Sequence, residues 1–446
     1  MKLVIPLSKI DNLFKIDLSK FYIIEKQKIS EVCLYIGMLI LYFGSLHPWF
    51  LWPLKELYPI PAVCFLFVSY LLANSAQSGM YSRNGYLKGL MCYVVLSFYI
   101  IVNGGQNLNA YIINCFSVFS VFILFKTDLK TLDRVMTFIA KVFAALLLVS
   151  MFFFVAYLVG VGLPYRDAVF GDNQYSFSNY YFFMVDDRSL FAIIPRFQSV
   201  FLEPGHLGSA ASVLLMTQIG RWKRWWNVTL MVACVISFSL AAYAIIIALS
   251  FLNLWVQRKN FIGKLLVVAA LMGGAASYAS FYNGGDNLIN NLILARLEID
   301  EKTGDIVGNN RVDVNFEKEF DKFITTSDAF FGRDMEKIAA GTGNSGYRVF
   351  IYKYGLVGLC LVTLFYGFMF TSYRDIRRLL MCVCISLLIF WIRGYPLWYS
   401  NFIPIFAAVG IGSGVKETKF STSKALKKAV LIPTAVSRYC AAKGSS

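Results

Sequence analysis

The sequence predicts an all-α fold: a polytopic integral membrane protein with about 12 transmembrane helices and two long outer-side loops. Three observations predict it. The 446 residues are 58% hydrophobic and only 15% charged, whereas soluble domains are about half apolar and about a quarter charged. The mean hydropathy is +0.60. Apolar runs of bilayer length recur along the chain, and the short segments between alternate runs are rich in lysine and arginine.

Taken in order, residues 1–28 are basic and place Ile10, Leu13, Phe14, Leu18 and Phe21 at helical spacing. That spacing suits an amphipathic segment on the cytoplasmic membrane surface, with a plain solvated tail as the alternative. This long basic stretch precedes any hydrophobic one, so no cleaved secretory leader is expected. Apolar runs then fall at 30–47, 57–75, 86–103, 108–125, 138–162, 203–220, 226–239, 240–256, 262–281, 350–372, 379–395 and 398–415. Trp226 to Val256 is one apolar run, too long for a single span, and "SFSLAAY" (Ser237 to Tyr243) divides it at 239/240. Residues 29–415 thus form the membrane domain, and 416–446 a basic cytoplasmic tail.

Charge sets the orientation. With the N-terminus inside, the inside segments hold 28 of the 42 Lys and Arg residues but only 8 of the 26 acids. Both termini are therefore expected in the cytoplasm. The net charge of +16 is explained by this asymmetry and does not call for nucleic acid. The nine cysteines are scattered without a C-x-x-C pair, and His47 and His206 lie far apart in sequence. Neither a structural disulfide nor a metal site is expected.

Two outer segments, about 163–202 and 282–349, are long enough to suggest function. In the second, Val314, Phe316, Phe320 and Phe323 have helical spacing among charged neighbours, as in a short amphipathic helix capping a cavity.

Candidate chemistry gathers on the outer side. Arginines are well spaced there, and the guanidinium fork grips phosphate through paired hydrogen bonds. Arg196, Arg348 and Arg393 sit at span borders, where an uncompensated charge is costly. Glu203 and His206 share one face if a span begins at Glu203, and either is a candidate to take a proton from a sugar hydroxyl. The plainer alternative is a helix start, with Pro204 in the first turn and an acid at the positive helix end. "GTGNSGYRVFIYKYGLVG" (Gly341 to Gly358) lacks the spacing of a nucleotide phosphate loop. Its Asn344, Ser345 and Arg348 suit a polar ligand at the mouth of a span, and a bare re-entrant turn is the plainer alternative.

"RFQSVFLEPGHLG", "SFSLAAY" and "GNSGYRVFIYKYGLVG", in this order, resemble segments of the Wzy-type O-antigen and capsular polysaccharide polymerases, within the superfamily that also holds the O-antigen ligases. The resemblance covers about residues 190–400. Two departures stand out: Leu240 replaces an arginine of the family's serine-rich turn, and no histidine stands at Asn344 or Ser345, where ligases usually carry one. The second favours a polymerase over a ligase.

The resemblance implies an undecaprenyl-pyrophosphate-linked oligosaccharide as substrate and transfer of the growing chain to the terminal sugar of the next lipid-linked unit. It implies pyrophosphate contacts from Arg196, Arg311 and Arg348, with Arg333 and Arg393 as further candidates and Asn344 beside them. Glu203 or His206 is the base candidate. No cofactor or metal is expected. Membrane lipids, a chain-length regulator and a flippase are the expected partners, and nucleic acid is not. The implied location is the bacterial plasma (inner) membrane, with the site facing outward. A flippase is the main rival, but no internal repeat supports it. A lipid-phosphate-sugar transferase would want an acidic first outer loop, and "HPWFLWPLKELYP" offers only Glu56.

Overall fold

The computed structural model describes residues 18–76, 78–81, 83, 86–103, 108–170, 175–187, 195–257, 260–287, 290–298, 314–333, 346–371, 376–394 and 396–409. These are mostly helical: α1 (Leu18–Gly44), α2 (Pro59–Ser75), α3 (Leu87–Asn103), α4 (Leu108–Lys126), α5 (Leu129–Leu158), α6 (Pro204–Thr217), α7 (Trp225–Ile236), α8 (Leu240–Gln257), α9 (Phe261–Phe281), α10 (Val314–Phe323), α11 (Tyr347–Thr371), α12 (Ile376–Arg393) and α13 (Tyr399–Val409). Within the described residues each apolar run falls largely on a helix. At the N-terminus, residues 18–28 continue unbroken into the first apolar helix; residues 1–17 and 410–446 lie outside the described residues.

The break at "SFSLAAY" is present. Ser237 caps the end of α7, Phe238 takes a left-handed φ of 47°, and α8 starts at Leu240. The amphipathic helix expected from Val314, Phe316, Phe320 and Phe323 is α10, whose Phe316, Phe320 and Phe323 are buried against Tyr352 of α11.

One element departs from the all-α expectation. The segment between α5 and α6 carries an antiparallel sheet of β1 (Arg166–Phe170), β2 (Tyr175–Asn179) and β3 (Met184–Asp186), in the order β1-β2-β3. The physical reason is a period of two. In "YSFSN", Phe177 is fully buried between serines, and with Met184 and Leu202 it forms one apolar face against Trp49, Trp52 and Phe170. Ser150 of α5 pins this sheet to the bundle by donating to the Phe182 carbonyl at 2.6 Å and meeting the Ser199 hydroxyl at 2.7 Å.

Helix α6 is central. Every residue from Gly205 to Thr217 is buried, as expected of a helix lacking a polar face. Around it, several helices are apolar on both sides. Helix α5 buries Leu132, Val135, Met136, Ile139 and Phe143, yet turns Leu148, Val149, Phe152 and Val155 outward. Helix α3 buries Tyr93 and Leu96 and exposes Met91, Val94, Val95, Phe98 and Val102. Among the described residues, two helices, Leu129–Leu158 and Tyr347–Met369, are long and apolar enough to cross a membrane. Shorter apolar helices include Pro59–Ser75 and Leu87–Asn103.

Helix α11 is interrupted. Gly355 adopts φ 64° and ψ −173°, a conformation nearly restricted to glycine. The turn at Ser327–Arg333 fills the gap. Val357 N–H donates to the Phe330 carbonyl at 3.0 Å, and Arg333 N–H to the Tyr352 carbonyl at 2.7 Å. Tyr99 of α3 donates to the Phe331 and Tyr354 carbonyls at 3.0 and 2.8 Å. Polar backbone exposed by the break is thus answered by protein. A Cβ at Gly355 would overlap the Phe330 carbonyl. Gly355→Ala is expected to destabilise the chain by about 2–4 kcal/mol, read as a lower thermal unfolding temperature of the purified protein. Ala substituted at Gly367, where nothing crowds a Cβ, should leave that temperature within about 2 °C of wild type or raise it slightly.

Candidate functional site

The segment leading into α6 is held by two aromatic anchors. Phe197 and Phe201 are fully buried. Phe197 packs on Phe154 of α5, and Phe201 on Phe43 of α1 and Phe143 of α5. Between them the backbone of Phe201 bridges Pro48, and Trp49 N–H donates to the Val200 carbonyl at 3.0 Å. This fixes where Glu203 emerges. Glu203 is the N-cap of α6, with Pro204 in the first turn, but its side chain makes no capping hydrogen bond. The carboxylate turns aside instead.

Its partner is Arg393, the last residue of α12. Arg393 Nη1 lies 3.4 Å from Glu203 Oε2, with the Arg393 side chain only 6% exposed and Glu203 33%. His206 Nε2 lies 3.7 Å from the same oxygen, and its imidazole is 7% exposed. One carboxylate thus faces two nitrogen groups, one three residues along the chain at His206 and one 190 residues away at Arg393. The arrangement needs small residues on α6. A Cβ at Gly205 would overlap Arg393 Nη2, so the guanidinium rests directly on the first helical turn. One turn later, a Cβ at Gly208 would press on Ala242 and on Ser237 and Ser239 of the α7–α8 turn. Arg196 closes the group by donating from Nε to the Ser237 carbonyl at 3.4 Å.

Of the residues singled out from the sequence, Glu203, His206, Arg393 and Arg196 therefore converge where α6, the α7–α8 turn and the end of α12 meet. Arg333 and Arg348 belong to a different cluster. Arg333 donates to Asp328 at 2.6 Å and Glu319 at 3.3 Å, and Arg348 pairs with Glu317. Both guanidiniums clamp α10 to the start of α11. The Asp328 carboxylate hydrogen-bonded to Arg333 holds its pKa above the ordinary arginine value. Arg311 and Asn344 lie outside the described residues.

Sequence reading passed over two residues. Trp398, just before α13, packs edge-to-face on His206 with centroids 4.9 Å apart, and on His47 at 5.9 Å. The chain's only two histidines thus flank one indole. Nothing in the local sequence signals this, because His47, His206 and Trp398 come from three distant turns. The aromatic density of "HPWFLWP" was the one available hint. Among the described residues, no three His, Cys, Asp or Glu side chains converge as a metal site.

The site thus offers two guanidiniums and a positive helix end for an anion, and a carboxylate and an imidazole for proton transfer. Searches against protein-family models, curated proteins and solved structures return no match to this chain.

Gly205→Ala is expected to displace Arg393 and cost about 1–3 kcal/mol of stability. Glu203→Gln removes the carboxylate that faces buried Arg393 and should cost about 2 kcal/mol. Glu317→Gln, at the more exposed Arg348 pair, should cost under about 1 kcal/mol. Chemical or thermal unfolding of the three variants ranks them directly.

Proposed function

We propose that this chain is a polysaccharide polymerase of the bacterial plasma (inner) membrane. It joins undecaprenyl-pyrophosphate-linked oligosaccharide repeat units into O-antigen or capsular polysaccharide on the outer face. The observation that carries the reading is the convergence of Glu203, His206, Arg393 and Arg196 at the mouth of α6. These are the groups that a glycosyl transfer with a pyrophosphate leaving group requires, in a segment that resembles that family.

The membrane setting is supported by helices apolar on every side. Outward rings such as Phe98 (59% exposed) and Phe152 (71%) have no reason to face water. Their stripes suit lipid, and the basic inside segments suit a cytoplasmic location of both termini. About 12 spans and two long outer-side loops remain the proposed topology.

In this reading, the terminal sugar hydroxyl of one lipid-linked unit attacks the anomeric carbon that carries the growing chain. The bond from that carbon to the lipid pyrophosphate breaks, and the pyrophosphate departs with the electron pair. Arg393 and Arg196 offset the charge it gains. Glu203 or His206 takes the hydroxyl proton. An incoming pyrophosphate competes with Glu203 for Arg393. Donor binding thereby turns the carboxylate from its ion pair toward the hydroxyl, which couples substrate entry to base availability. Arg333 and Arg348 act at a distance in this scheme, by holding α10 as a cap. A chain-length regulator and a flippase are the expected partners.

A strain lacking the gene tests the reading by gel electrophoresis of its surface polysaccharide. A polymerase defect leaves a single capped repeat unit in place of a ladder. Loss of outward lipid-linked units would indicate a flippase, and polymer stranded on its lipid carrier a ligase. In the complemented strain, Arg393→Ala and Arg196→Ala are each expected to lower polymer formation about 100-fold or more. An intact ladder from both variants would sink the arginine scheme.

A further inference from the structure

Beside Glu203, His206 opens a chain of ring contacts. His206 meets Trp398, Trp398 meets His47, and His47 meets Phe170 of β1 at 6.0 Å. Phe170 in turn packs on Trp52 at 5.0 Å, and Trp52 on Phe177 at 5.9 Å. His47, Trp52, Phe170 and Trp398 are each only partly buried. They come from the first outer turn, the sheet and the entry to α13. The arrangement is built rather than incidental. His47 holds a left-handed φ of 50°, rare for a residue other than glycine, and its carbonyl accepts from Trp52 Nε1 at 2.9 Å. Ser45 Oγ accepts from Ser400 N–H at 2.9 Å, which locks the turn carrying His47 to the one carrying Trp398.

A surface of this kind suits one ligand chemistry. A sugar ring has an apolar C–H face and a rim of hydroxyls. Indole and phenyl faces take the first, while imidazole nitrogens and a carboxylate take the second. A lipid tail would have no use for two histidines, and a pyrophosphate no use for the rings. We infer that Trp398, His47, Trp52 and Phe170 form a sugar subsite beside Glu203, which positions the attacking unit with its terminal hydroxyl toward the carboxylate while the pyrophosphate of the donor lies on the Arg393 side. The inference rests on the polymerase reading and assigns its two substrates to opposite sides of Glu203.

The test uses the full chain purified in detergent and two probes: lipid-free repeat-unit oligosaccharide released from the organism's own surface polysaccharide, and inorganic pyrophosphate. Calorimetric titration should show Trp398→Leu and His47→Asn weakening oligosaccharide binding at least tenfold while pyrophosphate binding stays within twofold. Asn tolerates a left-handed backbone, so the second variant keeps the turn even if the first disturbs it. Arg196→Ala should do the reverse. Wild-type oligosaccharide affinity in both ring variants, together with a normal ladder from cells carrying them, overturns the subsite and leaves the polymerase reading standing. A gene-deletion strain whose ladder is unchanged overturns both.

Discussion

Arg393 is the constraint on which this architecture turns. A guanidinium that is 6% exposed must be answered within reach, because an uncompensated buried charge costs several kcal/mol. Three features answer it together. Its own position at the C-terminal end of α12 is favourable for a cation. Glu203 gives up the usual N-cap role to face it. Gly205 removes the one Cβ that would hold it off the helix. Each needs the others, so the entry to α6, the end of α12 and the α7–α8 turn are locked in one arrangement.

The anchors that set this arrangement are apolar and lie directly beneath it. Phe201 sits two residues before Glu203 in an aromatic cluster with Phe43 and Phe143, and the Tyr42 hydroxyl reaches the Ala210 carbonyl at 3.1 Å. The position of the α6 entry is therefore inherited from packing against α1 and α5.

A second, separate device surrounds the broken helix α11. The Ser327–Arg333 turn fills the gap at Gly355, and Arg333 and Arg348 tie α10 to it through Asp328, Glu319 and Glu317. These pairs are a third or more exposed at the carboxylate, so each is weak singly. Three aromatic rings of α10 buried on Tyr352 supply the stronger hold. The two clusters both pair arginines with carboxylates but differ in burial: Arg393 is 6% exposed, and Arg333 and Arg348 about a third.

By itself the sequence determined the helical content, the division at Ser237–Leu240, the amphipathic α10 and the Glu203-Pro204 start of α6. All four follow from local rules: apolar periodicity, turn chemistry and capping act within a few residues of one another. It also marked Glu203, His206, Arg196 and Arg393 as unusual, since each is a polar group beside an apolar run. The small sheet was legible only in hindsight, because its alternation lasts five residues and gains its meaning from Trp52 packing on Phe177. Tertiary structure alone decided the partners. Which arginine meets Glu203, and which of them meet α10, depends on where helix ends arrive in space. So does the pairing of His47 with His206 across Trp398, residues whose first and last lie 351 positions apart. Charge–charge and ring–ring contacts act over a few ångströms, and only folding brings those groups that close.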